Sequence, residues 1–341
     1  MAKISVIRFG ALGDCVLLCP FLEHLKRTAA ARITVVTKRS YVELFSAARG
    51  VDRIVAIDEK SGLQGLRQAV HAHRGDDVTV IDAHSSLRSR IFSAGLGGAS
   101  ARLRKHYTSR LGLIVLKRGC RIPSVVERYG ELGESLGLPP MKARVGGIET
   151  PLSARKAAAS LVDGARGDIV CMAPGSRWPM KRWAAENYAE LARRIAFELD
   201  YHVVLLGDAG DAAETARIAR GISDRVTDLA GRTGILETAA VIERSVLFIG
   251  NDSGLMHLAE AVGVPVIALF GPTVEAFGYY PSLPKSKVIE RSIACRPCSR
   301  NGRRPCPRGT QECLTGVPVD WVEEALWDLM EERGPARYVH E

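Results

Sequence analysis

The chain has 341 residues, 46% of them hydrophobic and 25% charged, which are the proportions of an ordinary soluble globular protein. That length exceeds a typical single core, so we expect two domains. No apolar run approaches the roughly 20 residues of a membrane-spanning helix, and the N-terminal residues lead into a strand instead of a signal peptide, so we expect a cytoplasmic protein. The formal net charge of +9 indicates an anionic partner without choosing among nucleic acid, nucleotide-sugar and phospholipid surface.

Basic residues concentrate in two stretches, 102–128 and 285–308. The first contains Arg102, Arg104, Lys105, Arg110, Lys117, Arg118, Arg121 and Arg128. Neither stretch has the interleaved aromatic residues of a single-strand binder or a recognisable nucleic-acid-binding motif, so we expect no nucleic-acid partner. A solvated basic surface and a binding surface for another anion both remain open for each stretch.

The N-terminal half begins with a strand (3–8), a glycine-bearing turn (9–14) and a helical pattern that reaches Lys26. Pro20 lies inside this pattern and is expected to shorten or kink the helix. The turn has G-x-x-G spacing, so the G-x-G-x-x-G fingerprint of dinucleotide-binding folds is absent. Asp14 follows the first strand, at the edge where open α/β sheets bind ligands. By position alone, Asp14 could equally be a helix N-cap.

Strand and helix patterns then alternate, which predicts a doubly wound parallel sheet. The predicted strands are 33–37, 53–57 and 78–82, and the predicted helices are 41–48, 63–73 and 127–136. Residues 83–124 fit the alternation poorly, and we expect strand–loop excursions around a cleft there. Residues 138–151 lack periodicity and contain two adjacent glycines, which makes them the linker candidate. We therefore expect one domain at 1–150 and a second at 151–341.

The second half repeats the alternation of strands and helices. Its predicted strands are 169–173, 202–206 and 226–229, and its predicted helices are 154–161, 184–199, 212–220, 233–242 and 319–330. Two Rossmann-like halves of similar size predict a ligand cleft between the domains.

Residues 246–273 combine a strand, a polar turn, a helical pattern and a second strand at 266–270. The turn is Asn251-Asp252-Ser253-Gly254, which is polar for such a buried neighbourhood. Asp252 or Ser253 could simply cap the helix. Alternatively, the free N–H groups and the dipole of the helix N-terminus would bind an anion, with a carboxylate, a hydroxyl and His257 beside it.

Several segments together resemble glycosyltransferase family 9, whose best-known members are the ADP-heptose:lipopolysaccharide heptosyltransferases. The resemblance rests on four groups of residues in the family's order: Arg8-Phe9-Gly10-Ala11-Leu12-Gly13-Asp14 with Pro20; Pro174-Gly175-Ser176 with Lys181-Arg182-Trp183, Tyr188 and Leu191; Asp228-Leu229-Ala230-Gly231-Arg232-Thr233; and Asn251-Asp252-Ser253-Gly254-Leu255-Met256-His257-Leu258-Ala259 with Phe270-Gly271-Pro272-Thr273. Any one of these segments would be weak evidence, but four in order are specific.

The resemblance implies a GT-B architecture, in which two Rossmann-like domains face a cleft. The acceptor would bind the N-terminal domain and the nucleotide-sugar the C-terminal domain. The implied reaction is an inverting transfer of a heptose from ADP-heptose to the lipopolysaccharide inner core, or to a related surface glycan, at the inner face of the cytoplasmic membrane. The basic stretch 102–128 would then face an anionic glycolipid acceptor or the membrane surface itself.

The resemblance also implies roles for individual residues. Asp14 matches the proposed catalytic aspartate, which would take the proton of the acceptor hydroxyl. Lys181 matches the lysine that stabilises the leaving diphosphate, although an ordinary solvated lysine is the plain alternative. Backbone N–H groups of Ser253 and Gly254 would hold the diphosphate. The other predicted substrate-binding residues are Gly13, Ser176, Glu237 (for the ribose), Asp252 and His257 (for the donor).

No two aspartates have the D-x-D spacing that metal-dependent glycosyltransferases commonly use to hold a diphosphate through a metal ion. We therefore predict catalysis without a metal or another cofactor.

Four of the eight cysteines have C-x2-C-x7-C-x6-C spacing, namely Cys295, Cys298, Cys306 and Cys313. In a cytosolic chain this spacing favours a metal over disulfides. We predict structural zinc, with a single iron or an iron–sulfur cluster as alternatives and four free thiols as the remaining outcome. The other cysteines, which are predicted to be small buried residues, are Cys15, Cys19, Cys120 and Cys171.

Three other functions fit parts of this pattern. A nucleotide-sugar epimerase or hydrolase on the same fold would release sugar without an acceptor. A non-catalytic nucleotide-sugar-binding protein is disfavoured because Asp14, Lys181 and Asp252 are all present, and an NAD oxidoreductase is disfavoured because the glycine fingerprint is missing. The sequence leaves the exact sugar, the acceptor and the oligomeric state open.

Overall fold

A computed structural model describes residues 2–58, 62–73, 78–117, 121–142, 145–222 and 224–331. Contacts between residues group the chain into two compact units. Unit 1 comprises the described residues of Met1–Arg110, Cys120–Ala154 and Ala276–Tyr279, and unit 2 comprises those of Leu111–Gly119, Arg155–Glu275 and Tyr280–Glu341. The boundary between residues 150 and 151 stays a prediction, because each unit also takes in a short segment from the other half of the chain.

Unit 1 is built on a parallel sheet of five strands in the order β3-β2-β1-β4-β5. The strands are β1 (Lys3–Ile7), β2 (Arg32–Lys38), β3 (Arg53–Ile57), β4 (Val78–Asp82) and β5 (Ala101–Arg102). The central strands are rich in β-branched residues and largely buried, as expected for parallel strands that helices cover on both faces. Ile7, at the end of β1, pairs with Val36 of β2 and Asp82 of β4. The carboxyl ends of these strands therefore meet at one edge of the sheet.

The helices around this sheet differ from the predicted pattern in two places. They are α1 (Leu12–Val16), α2 (Cys19–Ala29), α3 (Val42–Ser46), α4 (Gly62–His73), α5 (Leu87–Gly95) and α7 (Val125–Glu134), with α6 (Tyr107–Leu116) and α8 (Leu152–Leu161) running from unit 1 into unit 2. The first predicted helix is interrupted, and Pro20 lies in the first turn of α2, where proline is tolerated. The expectation of strand–loop excursions in 83–124 is wrong, because α5 and α6 occupy much of that segment. A capping box between Ser86 and Ser89 begins α5. The helix α6 exposes apolar residues, so its sequence lacks the usual amphipathic pattern.

Unit 2 is built on a parallel sheet of six strands in the order β11-β10-β9-β6-β7-β8. The strands are β6 (Ile169–Ala173), β7 (His202–Leu205), β8 (Val226–Asp228), β9 (Leu247–Asn251), β10 (Val266–Phe270) and β11 (Lys287–Glu290). Its helices are α9 (Ala185–Phe197), α10 (Ala212–Ala219), α11 (Ile235–Glu243), α12 (Gly254–Ala261), α13 (Glu312–Thr315) and α14 (Val319–Glu331). The edge strand β11 and the short α13 were not predicted, because neither has a clear hydrophobic period.

The core of unit 2 packs α9 and α14 against the sheet, with Trp183, Tyr188 and Leu326 fully buried. Every residue of β9 and β10 is buried, including the polar Asn251 at the end of β9. The predicted fold class, two Rossmann-like parallel sheets covered by helices, is confirmed. Within the described ranges, no helix is long and apolar enough to cross a membrane.

Candidate active site

The acidic centre of unit 1 is Asp14, which lies in the first turn of α1, beyond the carboxyl end of β1. Both carboxylate oxygens are held: Arg8 Nη2 lies 2.5 Å from Oδ2, and the Tyr279 hydroxyl donates to Oδ1 at 3.1 Å. The Tyr129 hydroxyl donates to the Asp14 backbone carbonyl at 3.1 Å. The Asp14 side chain remains 20% exposed. Because the N-cap of α1 is Ala11, Asp14 is not the capping residue, and its carboxylate is both oriented and accessible.

Arg8 orients this carboxylate from a buried position. Its Nη1 donates to the Ala83 carbonyl at 2.6 Å. Burial alone lowers the pKa of Arg8, but the charge of Asp14, together with smaller contributions from other neighbours, raises it above its ordinary value. In the sequence, Arg8 was recognised only as the first residue of the family motif that ends at Asp14, and it was not predicted as a site residue. Tyr279 could not be found from local pattern, because 265 residues separate it from Asp14.

Two further arginines, Arg110 and Arg128, lie near Tyr279. Each donates to the Phe277 carbonyl, at 3.1 Å and 3.3 Å respectively, and the Arg110 guanidinium lies 5.7 Å from the centre of the Tyr279 ring. Their side chains are 8% and 4% exposed, and among the described residues neither forms a salt bridge. Burial, and next the charge of Arg110, lowers the pKa of Arg128. Two buried like charges without a carboxylate partner are costly to maintain, and an anion would stabilise them.

His84 is a further titratable group that lies in electrostatic range of Arg8 and Asp14. It follows β4, and its ring lies 5.4 Å from the ring of Phe9. Burial, and then the charges of Arg8 and Lys105, lowers the pKa of His84 to about 4. The imidazole is therefore uncharged at neutral pH and can accept or donate a single hydrogen bond.

Lys181 and Asp252 form the central ion pair of unit 2. Lys181 ends a 3-10 turn (Pro179–Lys181) after β6, and Asp252 follows β9. The Lys181 ammonium donates to Asp252 Oδ2, and the Thr273 hydroxyl donates to the same oxygen at 2.7 Å. The two charged side chains are only 13% and 5% exposed. Lys181 is therefore a largely buried lysine in an ion pair. The Asp252 carboxylate accepts hydrogen bonds from the side chains of Lys181 and Thr273.

Asn251 ties together the loops that carry this pair. Its side-chain carbonyl accepts from the Trp183 backbone N–H at 3.0 Å, and its amide donates to the Pro174 carbonyl at 2.6 Å. The loop that holds Lys181 is thereby fixed to the end of β9. Asn251 was part of the recognised motif but was not predicted as a site residue, because its bonds join segments that are far apart in sequence.

The start of α12 lies directly after Asp252. Ser253 is the N-cap by its backbone geometry, yet its side chain makes no capping hydrogen bond. Its Oγ is buried and has no hydrogen-bond partner among the described residues. The first N–H groups of a helix, at Gly254 and beyond, have no intrahelical acceptors. A buried hydroxyl and open N–H groups at one helix start make a site suited to a small anion.

The other predicted substrate-binding residues lie in several places. Gly13 is inside α1, and Ser176 is buried after β6. His257 is buried in α12. The Glu237 carboxylate accepts from the Gly234 N–H at 2.9 Å as part of a capping box of α11. The capping bond gives Glu237 a structural task, and its contact with a ribose stays a prediction.

The cysteine-rich loop, residues 295–313, brings its four thiols into mutual electrostatic range. Burial, and next the charges of other cysteines of the cluster, raises the pKa of Cys298, and burial is the largest cause that raises the pKa of Cys313 to about 11. The described part of the chain contains no group of three or more His, Cys, Asp or Glu side chains in a metal-holding arrangement. Cys15, Cys19 and Cys171 are buried as predicted, whereas Cys120 lies outside the described residues.

Comparisons with known proteins identify the family. The sequence profile described as glycosyltransferase family 9 (heptosyltransferase) matches residues 66–308. The chain is 36% identical over 130 residues to lipooligosaccharide heptosyltransferase 2 of Haemophilus influenzae, covering 37% of each protein. It is 32% identical over 171 residues to lipopolysaccharide heptosyltransferase 2 of Salmonella typhimurium, covering 49% of this chain and 48% of that protein. The matched region thus spans only about half, or less, of these relatives.

A solved structure covers more of the chain. The structure of E. coli ADP-heptose lipopolysaccharide heptosyltransferase II superposes with a TM-score of 0.75 at 24% identity, over 98% of this chain and 100% of that one. This likeness concerns the fold, and it agrees with the GT-B class. The profile match extends over well more than half of the chain, and the predicted family is therefore confirmed: the chain belongs to glycosyltransferase family 9.

Proposed function

We propose that the chain is an inverting glycosyltransferase that transfers a heptose from ADP-heptose to the lipopolysaccharide inner core or to a related surface glycan. One observation carries the proposal: the buried Lys181–Asp252 pair adjoins a helix start where the Ser253 hydroxyl is buried and has no partner among the described residues. The names of the relatives support a heptose as the sugar. The name of the similar solved structure supports ADP-heptose as the donor.

On the donor side, the diphosphate would bind at the N-terminus of α12. Backbone N–H groups of Ser253 and Gly254 and the Lys181 ammonium would donate to its oxygens, and the helix dipole would favour its charge. As the bond between the anomeric carbon and the diphosphate breaks, negative charge grows on ADP, and these fixed donors stabilise it. No metal ion takes part in the chemistry of this scheme, so we expect turnover to survive EDTA as long as the fold stays intact.

On the acceptor side, Asp14 would act as the general base. The acceptor hydroxyl oxygen forms a bond to the anomeric carbon from the face opposite ADP, and its proton passes to the Asp14 carboxylate. Arg8 and Tyr279 hold both oxygens of that carboxylate, so it needs little reorientation when the acceptor arrives. Unit 1 would thus supply the base and unit 2 the leaving-group site.

Arg110 and Arg128 support an anionic acceptor. They are buried and form no salt bridge among the described residues. The Arg110 guanidinium lies 5.7 Å from the centre of the Tyr279 ring, and the Tyr279 hydroxyl donates to Asp14. A carboxylate or phosphate on the acceptor sugar would pair with both guanidinium groups, because arginine forks match such oxyanions.

We expect Arg128→Gln to raise the acceptor KM by roughly ten- to a hundredfold, the loss of one charge-assisted hydrogen bond. The affinity for ADP should stay as in the parent chain, because the proposed donor residues belong to unit 2. Arg121→Gln is the matched control, since Arg121 belongs to the same basic stretch but is 83% exposed. Equal effects of the two substitutions on the acceptor KM would contradict the anion site.

The same part of the chain supports membrane contact. Residues 83–126 include nine lysines and arginines and no aspartate or glutamate. Within this segment α6 exposes Tyr107, Leu111 and Val115, each by more than half of its surface and at helical spacing. We propose that this face rests on the anionic cytoplasmic face of the inner membrane, where a lipid-linked acceptor would lie. Binding to anionic vesicles that survives Leu111→Ser with Val115→Ser would contradict this proposal.

The cysteine-rich loop would hold a structural zinc ion, with iron as the alternative. Four thiols in electrostatic range of one another suit either metal, and a metal would order a loop that has no apolar core of its own. The thiolates would have to draw closer than they lie here, since they form no metal-holding group among the described residues. Elemental analysis of the purified chain tests this site, and less than about a tenth of a metal ion per chain would remove it.

A panel of nucleotide-sugars, followed by calorimetry and a transfer assay, tests the proposed function. We expect ADP-heptose to bind more tightly than UDP- or GDP-sugars, and ADP release to require an acceptor. Release of free sugar without an acceptor would favour a hydrolase, and conversion of the sugar would favour an epimerase. Binding without turnover on any acceptor would favour a non-catalytic nucleotide-sugar-binding protein. The family match favours none of these three alternatives.

A further inference from the structure

We propose that the cysteine-rich loop is a positioning element for the donor site and that Gly302 within it sets the position of Lys181. The inference rests on the proposed function, in which the Lys181 ammonium binds the donor diphosphate. It assigns a task to residues to which the proposed function gives no contact with the donor or the acceptor.

Gly302 packs directly against the aliphatic stem of Lys181. A Cβ atom at this position would lie 2.8 Å from Lys181 Cγ and 3.5 Å from both Cδ and Cε. The close contact is at the root of the side chain, so relief would require the whole lysine side chain to move. Gly302 has φ of +75°, and its N–H donates to Ser299 Oγ at 3.0 Å. The turn is therefore held in a conformation that favours glycine, with the glycine pressed against the lysine.

Other residues of the cysteine-rich loop hold the backbone around Lys181. The Gln311 amide donates to the Arg182 carbonyl at 3.3 Å and lies 3.5 Å from the Pro179 carbonyl. The Arg303 guanidinium lies 5.8 Å from the centre of the Trp178 ring. The loop thus contacts the segment on both sides of Lys181.

The same loop also supports the partner of Lys181. Arg296 Nη2 donates to the Thr273 carbonyl at 2.8 Å, and Arg296 Nε donates to the Gly271 carbonyl. The Thr273 hydroxyl in turn donates to Asp252. The cysteine-rich loop therefore contacts the surroundings of both members of the ion pair.

These contacts affect binding because a lysine side chain has many rotamers. An ammonium that is already held on Asp252 loses less conformational entropy when a diphosphate arrives. A displaced stem would move the ammonium away from the phosphate oxygens and weaken a charge-assisted hydrogen bond, which depends strongly on distance. Donor affinity should therefore fall when Gly302 gains a side chain.

The experiment compares Gly302→Ala with Gly309→Ala in the full chain, with ADP as the calorimetric probe. Both glycines belong to the same loop and have similar φ, +75° and +71°, so alanine strains the backbone similarly at each. In the described part of the chain, no heavy atom lies within 4 Å of a Cβ built at Gly309. We expect Gly302→Ala to weaken ADP binding by about tenfold and Gly309→Ala to leave it unchanged, at similar melting temperatures.

A double-mutant cycle separates positioning from general damage. In a Lys181→Ala background, Gly302→Ala should weaken ADP binding no further, because its effect passes through the lysine. Should Gly302→Ala fail to fold, Gln311→Ala gives the same readout, with a smaller loss of affinity that also disappears in the Lys181→Ala background. Equal effects of both glycine substitutions, or additivity with Lys181→Ala, would overturn the inference. A parent chain that binds no ADP would instead refute the proposed function, on which the inference depends.

Discussion

Asp14→Asn is expected to lower kcat by at least roughly a hundredfold, while ADP still binds with the affinity of the parent chain. Asparagine keeps the size and the carbonyl oxygen of the side chain, so it can still accept from Tyr279. It has no basicity, so the acceptor hydroxyl would have to lose its proton to water. The proposed donor residues belong to unit 2 and are unaltered, and transfer should therefore fail after donor binding.

The same substitution leaves the buried Arg8 guanidinium without its ion pair. We expect this loss to cost about 3–5 kcal/mol of the free energy of unfolding, so the transfer assay belongs at a temperature where ADP titration still reports full binding. Adding Arg8→Gln to Asp14→Asn should recover part of this stability and none of the activity. Full activity of Asp14→Asn alone would remove Asp14 as the base.

Tyr279 and Tyr280 provide a matched pair of tyrosines for the same question. The Tyr279 hydroxyl donates to Asp14, whereas the Tyr280 hydroxyl donates to Glu290. Burial, and then the charge of Asp14, raises the pKa of Tyr279 to about 12, so it remains a donor at neutral pH. Tyr279→Phe should lower kcat by roughly three- to tenfold through misorientation of Asp14, and Tyr280→Phe should leave kcat unchanged.

The alternation of strands and helices was predictable because the sheets are parallel and buried on both faces. Such strands must be short apolar runs, and the helices between them carry one apolar face. The prediction was wrong in 83–124, where α6 breaks the rule by exposing apolar residues such as Leu111. Sequence periodicity identifies a helix only where one face of the helix packs against the core. A helix that exposes apolar residues to solvent lacks this amphipathic pattern.

The ion pair of unit 2 could be predicted in part. Lys181 and Asp252 lie beyond the ends of β6 and β9, and these strands are neighbours, with Ala173 opposite Gly250. Carboxyl ends of neighbouring parallel strands meet at one edge, so a correct strand order places the two side chains in reach. Their mutual hydrogen bond, and the hydroxyl of Thr273 beside it, depend on loop conformations that carry no periodic signal.

The partners of Asp14 illustrate the same limit. Arg8 precedes Asp14 by six residues, and a strand–turn–helix unit can bring them together. Tyr279 comes from the other half of the chain but belongs to unit 1, because residues Ala276–Tyr279 pack there. No local sequence pattern indicates that a residue from the second half of the chain packs in unit 1. Such residues are therefore identified only from the three-dimensional structure.

Lys181→Ala should produce the largest loss of donor affinity, with ADP binding weakened by roughly ten- to a hundredfold or more. The substitution removes the only side-chain cation that the proposal assigns to the diphosphate. It also leaves Asp252 buried with the Thr273 hydroxyl as its side-chain donor among the described residues, so the free energy of unfolding should fall by about 3–5 kcal/mol. Lys26→Ala is the control, because the Lys26 and Asp52 side chains are each about one-third exposed. Loss of their ion pair should lower the free energy of unfolding by less than about 1 kcal/mol.

The two effects of Lys181→Ala separate in a double variant. Asp252→Asn removes the unpaired charge while keeping an oxygen that accepts from Thr273, so Lys181→Ala with Asp252→Asn should regain most of the lost stability. ADP affinity should stay low, because no ammonium is restored. If the double variant recovered ADP binding together with stability, Lys181 would serve only to neutralise Asp252, and the leaving diphosphate would depend on the N-terminus of α12 alone.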